Sequence, residues 1–282
     1  PNSNGAEATE AETLKTFDSD GYTVGTNSGY NTSSGTYVSW NWKAGTTSGI
    51  TTNGSTTITP SSYSFDQTAG ISIINYTGNS TSGAKVAHGL GVVPQMMIVK
   101  NRDAVETWTV YHKALGNTKY LIVNTTSAAV VTTNRWNDTD PDSVNFTVGN
   151  STAINVTGEE CIAYCFTDTK GFSKFGSYTG NGNADGPFLY TGFRPAFVMV
   201  KRYDTTGDWF MWDDKRLGYN PDNNELYANN TDAEATSDRV DLCSNGFKLI
   251  NDGAGVNNYT GTYIYMAFAE FPLVSSNSVP TV

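Results

Sequence analysis

Carboxylates, imidazoles and thiols are the groups through which this chain could do chemistry, and their spacing is restrictive. Asp213 and Asp214 follow Trp212, and Glu159 stands beside Glu160. Hydrolysing a glycan needs two carboxylates roughly 5–9 Å apart across a cleft. Adjacent residues on a strand point to opposite faces, so neither pair reads as an acid/base dyad. His88 sits in a tight turn, His88-Gly89-Leu90-Gly91, and His112 ends a strand. A nucleophilic serine system would want a Gly-x-Ser-x-Gly elbow, and the sequence has none. The expectation is that the chain is not an enzyme.

Two acidic loops offer oxygen ligands instead. Asp18-Ser19-Asp20-Gly21 and Asn137-Asp138-Thr139-Asp140-Pro141-Asp142 are the kind of cluster that Ca²⁺ accepts, with Asp18, Asp20, Asp138 and Asp140 as candidate ligands. Neither loop has the twelve-residue pattern closed by Glu. Both precede strands, where Asp and Gly are ordinary turn residues. Calcium is therefore the one cofactor the sequence suggests. Carbohydrate sites on β-sandwiches combine an exposed aromatic with Asn, Asp and Gly in loops. Tyr203, Asp204 and Asp208 form one such group, and Tyr219, Asp222 and Asn223 form another. As loops between packed strands, both also read as plain turns.

The three cysteines are Cys161, Cys165 and Cys243. Four residues along a strand span roughly 13 Å, too far for a disulfide between Cys161 and Cys165. With only two His in the chain, a zinc site is improbable, and packed free thiols are expected. Several N-x-Ser/Thr sequons, among them Asn31, Asn79 and Asn124, are what a chain this rich in Asn and Thr would carry by chance.

The elements that must position these residues follow from composition. The 282 residues include 28 Gly, 16 Tyr, 13 Phe and 6 Trp, with long Ser, Thr and Asn stretches and only 16% charged residues. Thr, Asn, Ser and Gly are poor helix formers, and so many aromatics exclude disorder. An all-β, loop-rich protein remains. Its net charge of −10 repels a phosphate backbone, which argues against nucleic acid. No apolar run is long enough for a transmembrane helix, so no membrane insertion is expected.

Internal similarity organises the chain. Tyr76-Thr77-Gly78-Asn79 recurs as Tyr178-Thr179-Gly180-Asn181, 102 residues on. Pro94 to Lys100 matches Pro195 to Lys201 at a separation of 101, as Trp108 matches Trp209. Asn124 and Ala128 match Asn229 and Ala233 at 105, through a loop insertion. A closing segment occurs three times: Gly35 to Trp42, Glu160 to Phe166 and Gly261 to Phe268. The expected organisation is a tandem of antiparallel β-sandwiches, 71–170 and 171–272, with a tail at 273–282. Residues 1–44 read as the closing half of a preceding sandwich, which suggests the C-terminal part of a longer polypeptide. The Thr/Ser/Gly-rich stretch 45–70 reads as an extended linker. Strands are expected after Gly91, over 107–111, 119–123, 144–148 and 161–166, bounded by Gly, Asn, Asp or Pro.

Tyr37 to Gly45, Phe172 to Asn181, Gly192 to Lys201 and Gly261 to Glu270 resemble a domain of unknown function common in marine bacteriophage structural proteins, often at the end of tail-fibre-like chains. The similarity runs from about Phe17 to Phe271. It implies lectin-like or jelly-roll sandwiches in a virion protein, contacting other virion proteins and a host-surface glycan or receptor. A homo-oligomer is implied too, taken as a trimer because fibres commonly are. The alternatives are a capsid decoration or fibre-shaft protein with purely structural contacts, and a glycan depolymerase. The resemblance transfers no catalytic or binding residue.

Overall fold

The computed structural model describes residues 2–216, 220 and 223–270. In chain order its strands begin with β1 (Leu14–Phe17), β2 (Tyr22–Val24), β3 (Ser62–Asp66), β4 (Ile71–Thr77), β5 (Ala84–Ala87) and β6 (Met96–Asn101). The first half continues through β7 (Thr109–His112), β8 (Lys119–Ile122), β9 (Val130–Val131), β10 (Asn145–Val148) and β11 (Glu160–Phe166). The second half holds β12 (Ser173–Thr179), β13 (Phe188–Tyr190), β14 (Pro195–Arg202), β15 (Trp209–Asp213) and β16 (Asn224–Tyr227). It ends with β17 (Ala235–Thr236), β18 (Val240–Cys243), β19 (Gly246–Leu249) and β20 (Thr262–Ala269). One helical turn, Ser28–Asn31, and a 3-10 turn, Lys113–Leu115, complete the described elements. The protein is all-β, and every strand pairing is antiparallel.

Four sheets form the body. A seven-stranded sheet has the order β3-β4-β11-β6-β7-β8-β9, and a six-stranded sheet the order β12-β20-β14-β15-β16-β17. A small sheet covers the outer face of each: β5-β10 on the first, β13-β19-β18 on the second. Three apolar cores lie between the layers. The first and third sit under the small sheets, and the middle one joins the two large sheets back to back.

Strand alternation explains how one run serves two cores. On β11, Cys161, Ala163 and Cys165 enter the first core, while Tyr164 and Phe166 face the middle one. On β20, Tyr263, Tyr265 and Ala267 enter the third core, while Ile264, Met266 and Phe268 face the middle. A strand buried on both faces reads as an unbroken apolar run, as both segments do. Burial raises the Cys161 thiol to about 12 and the Cys165 thiol further, so both are inert at neutral pH.

The repeated motifs acquire physical roles. Tyr76 and Tyr178 each donate a phenolic hydrogen bond to a loop carbonyl, Ile154 at 2.6 Å and Val256 at 2.7 Å. At Gly78 a Cβ would fall 2.3 Å from the Val156 oxygen, and at Gly180 2.2 Å from the Asn258 oxygen, so only glycine fits. Asn155 and Asn257 then accept from the backbone N–H of Asn79 and Asn181. Asn124 and Asn229 do the same for Trp108 and Trp209.

Two expectations are corrected. Residues 45–70 are not a free linker: β3 pairs with β4, Thr46 bridges Phe65, and Ile58 bridges Val86. Ile58 and Phe65 are buried, so a few apolar residues suffice to seat the segment on the first core. Residues 37–42 form no strand. Both neighbours of each closing strand come from its own half, and no such pair is left over for this segment. Trp40 and Trp42 instead lie edge-on to Phe197 at 5.4 and 5.7 Å, and the Trp40 indole donates to Asp213 Oδ2 at 3.2 Å.

Phe268 is the hub of the middle core, within 5.3–5.9 Å of the Trp42, Phe166, Phe172 and Phe175 rings. Phe268→Ala is expected to destabilise the fold by about 3–5 kcal/mol, read from urea unfolding. Burial in the same contact holds the His112 imidazole down to about 4. Its Nδ1 accepts from the Ala114 N–H at 3.2 Å and its Nε2 faces the Tyr265 carbonyl at 3.4 Å, which selects the neutral Nε2–H tautomer. Because the folded value lies below the unfolded one near 6.5, the unfolded chain binds the proton first. Stability is therefore intact above about pH 6.5 and declines as pH falls toward about 4. His112→Gln is expected to flatten that slope in unfolding measured across the range.

Candidate ligand-binding cleft

An open cleft of about 1340 Å³ lies at one end of the second half. Its floor and walls come from the connection before β12, the turn after β13, the residues following β15, the β18–β19 turn and the end of β20.

Local sequence builds each wall. On β13, Leu189 packs toward the third core, which leaves Phe188 and Tyr190 on the outer face, 45% and 66% exposed. Gly192, at φ +85°, turns the chain immediately afterwards. Thr191 and Gly192 donate their backbone N–H groups to the Asn245 carbonyl at 3.0 and 3.2 Å, tying this turn to the β18–β19 turn. Tyr190, Arg194, Ser244 and Asn245 thereby line one cleft.

Asp213 and Asp214 diverge as strand geometry requires. Asp213 is buried, accepts from the N–H groups of Lys215 and Arg216, and pairs with Arg216 Nε at 2.7 Å. It is a turn-forming residue. Asp214 points the other way and lines the cleft, its side chain only 9% exposed. Among the described residues its Oδ1 has no hydrogen-bond partner. Lys215 Nζ stands 3.8 Å away, too far for a hydrogen bond, and bonds Glu270 at 2.6 Å. Burial raises the Asp214 carboxyl above the ordinary range, against the pull of Lys215. On the opposite wall Asp168 accepts from the Phe175 N–H at 2.8 Å and pairs with Lys174.

Among the described residues, the equivalent place in the first half is filled. Strand register gives Ala87 the place of Tyr190, and at the separation of 101 residues Val93 and Lys113 stand where Arg194 and Asp214 do. There the chain before β4 closes the space: Phe65 and Ile50 lie over Gly89, and Gln67 donates to the Gly89 carbonyl at 2.9 Å. Only Thr167 to Phe172 separates β11 from β12, too few residues to cover the second half in the same way.

The residues singled out from sequence go elsewhere. Tyr203 is half-buried against the middle core, its N–H donating to Thr262 and its carbonyl accepting from Ala129. Asp204 forms a two-point ion pair with Arg202 at 2.8 and 3.0 Å, and that pair lowers its carboxyl below the usual range. Asp208 accepts from Asn229 at 2.8 Å. Asn223 is buried, donating to Asn220 and to the Val240 carbonyl, while Tyr219 and Asp222 lie outside the described residues. Asp18 accepts from Thr23 at 3.0 Å in the β1–β2 turn, and Asp140 faces the Tyr111 hydroxyl at 3.5 Å. Asp20 and Asp138 stay in their own turns, Asp138 at φ +47°. Among the described residues no three His, Cys, Asp or Glu side chains converge as a metal site would require.

Tyr190 escaped the sequence reading because nothing local distinguishes an outward aromatic from an inward one. The available signal was a break in the repeat, an aromatic in one half where Ala87 stands in the other.

Searches of curated proteins and of solved structures return no match. A family model, the domain of unknown function DUF7483, matches residues 1–272. A match over nearly the whole length settles membership, and the chain belongs to the DUF7483 family.

Proposed function

We propose that this protein is a bacteriophage virion component of the tail-fibre or appendage type, and that its second half binds a host-surface glycan. The resemblance from Phe17 to Phe271 supports the virion setting. The cleft supports the ligand: an exposed Tyr190 ring, the Asn245 turn and an Asp214 oxygen that is desolvated and has no hydrogen-bond partner among the described residues all line it. A saccharide presents an apolar ring face for stacking and hydroxyls for fixed acceptors, which is what this combination offers. We read the site as binding rather than hydrolysis. The other two cleft carboxylates are engaged, Glu270 by Lys215 and Asp168 by Lys174 and the Phe175 N–H, which favours binding over an acid/base pair.

A purely structural role has one observation in its favour. Leu14, Phe17 and Tyr22 of the β1–β2 hairpin are exposed, Phe17 at 80%, and suit contact with another virion subunit.

Labelled protein is expected to bind host cells and a subset of their surface glycans. Tyr190→Ala should weaken that binding about tenfold, the loss of a stacking contact worth about 1.5 kcal/mol, without changing the melting temperature. Absence of binding across host cells and their isolated glycans would sink the glycan reading. Antibody labelling of intact particles tests the virion placement separately.

A further inference from the structure

The N-terminal arm repeats the closing part of a sandwich bond for bond. Asn2 aligns with Asn124 and with Asn229, and Ala6-Glu7-Ala8-Thr9 recurs unchanged as Ala233-Glu234-Ala235-Thr236. Gly25 donates to the Thr13 carbonyl at 2.6 Å, as Gly149 donates to Arg135 at 2.7 Å. At both glycines a Cβ would strike the preceding carbonyl oxygen, Glu12 or Asn134. The Asn31 carboxamide donates to the Gly25 carbonyl at 2.9 Å, as Asn155 does to Gly149 at 2.7 Å. Residues 2–31 are therefore held by the contacts that hold 124–155, and 37–42 follow them as 161–166 follow there.

The arm is also seated as its counterpart is. Ser3, Asn4 and Glu7 bond the first half through the Trp108 indole, the Glu106 N–H and the Arg102 carbonyl. Ile122, Thr126 and Ala129 bond the second half through Trp209, Gly207 and Tyr203, each 101 residues further on. Each closing part thus grips the sandwich that comes after it. Asn229 to Glu234 is the third such segment, and Thr231 to Glu234 are exposed. Trp42, Phe166 and Phe268 hold one place in the three closing segments, and the first two lie 5.3 and 5.9 Å from Phe268. Three closing segments surround one core, and two of them have their opening halves.

What the arm lacks is visible in its open groups. Among the described residues every hydrogen bond from Ala8 to Ser39 closes within Ala8 to Asn41. A two-stranded hairpin of this kind is marginal in water without a further sheet. In the first half β10 pairs with β5, β11 lies between β4 and β6, and Asn155 Oδ1 accepts from the Asn79 N–H at 2.8 Å. In the arm Tyr22 is 40% exposed, and Asn31 Oδ1 accepts no hydrogen bond among the described residues. Tyr37, Ser39 and Asn41 are exposed where Cys161, Ala163 and Cys165 are buried.

We propose that this side of the molecule is a docking surface for the opening half of a third sandwich, an antiparallel sheet of the kind formed by residues 45–123. It pairs one strand with Tyr22–Val24, takes 37–42 between two others, gives a backbone N–H to Asn31 and seats its tryptophan edge against Asn229 to Glu234. Backbone pairing supplies the affinity, and the alternating side chains fix the register. The surface is separate from the cleft, so the glycan reading neither supports nor weakens it.

The test joins a duplicate of residues 45–123 directly ahead of Asn2 in the full chain, which keeps the spacing found before Asn124. A second version also carries Asn41→Cys, the residue of the first half at that place, so that a polar mismatch cannot mask pairing. A scrambled extension of the same composition is the control. Hydrogen exchange is read by mass spectrometry, with slow exchange in β11 and β20 showing that the existing sandwiches stay folded. The amides of 22–24 and 37–42 should exchange at least about a hundredfold more slowly than in the unextended chain, and those of 231–234 should slow too. Unchanged exchange at 22–24 and 37–42 in both versions overturns the proposal, as does equal slowing by the scrambled extension. Slowing at 22–24 and 37–42 alone overturns the three-sided arrangement and leaves the strand completion standing.

Discussion

The contact between the two large sheets is the constraint on which the rest of the molecule depends. Each sheet would otherwise expose a full apolar face, Met96, Val110 and Phe166 on one side, Phe197, Ile264 and Phe268 on the other. Burying both faces against each other satisfies them together, at the roughly 10 Å spacing of packed sheets. The small sheets then close the outer faces. Four layers result, and the closing strands β11 and β20 must be apolar on both sides.

Polar groups trapped at that contact are matched across it. The Trp209 indole donates to the Ile122 carbonyl at 2.9 Å. The fully buried Lys201 ammonium donates to Thr126 of the first half at 3.1 Å and to Gly207 at 2.7 Å. Burial lowers that ammonium to about 8, against the opposing pull of Asp208. A buried cation with only carbonyl partners is costly, and it persists here because the first half supplies one of the two acceptors. The halves are joined by specific hydrogen bonds as well as by rings.

The proposed binding site lies where the two halves differ. They share a strand order and the same Tyr, Gly and Asn contacts, yet the space open in the second half is filled at the equivalent place in the first. In the first half the chain before β4 adds a strand and fills the counterpart of the cleft with Phe65, Ile50 and Gln67. In the second half the short connection to β12 leaves that space open, and the residues around it are aromatic and charged. The cleft thus opens where no covering segment is present, on sheets of the same strand order.

The sequence by itself determined the all-β class, the matched motifs and the strand over 161–166, because these depend on local propensity and on a period of two. It also determined that Asp213 and Asp214 diverge. The fate of isolated loop residues depended on neighbours distant in the chain. Tyr203, Asp204 and Asn223 had the composition of a ligand site, but the middle core, Arg202 and Asn220 claimed them. The stretch 45–70 looked like a linker because its apolar residues are sparse, and only the sheet edge showed that each of them is used. Trp40 and Trp42 carried a strand pattern but found no strands to pair with. Tyr190, Arg194 and Asp214 are far apart in sequence from Asn245, and only the tertiary structure brings them to one cleft. Exposure and convergence are properties of packed layers, and no local pattern encodes them.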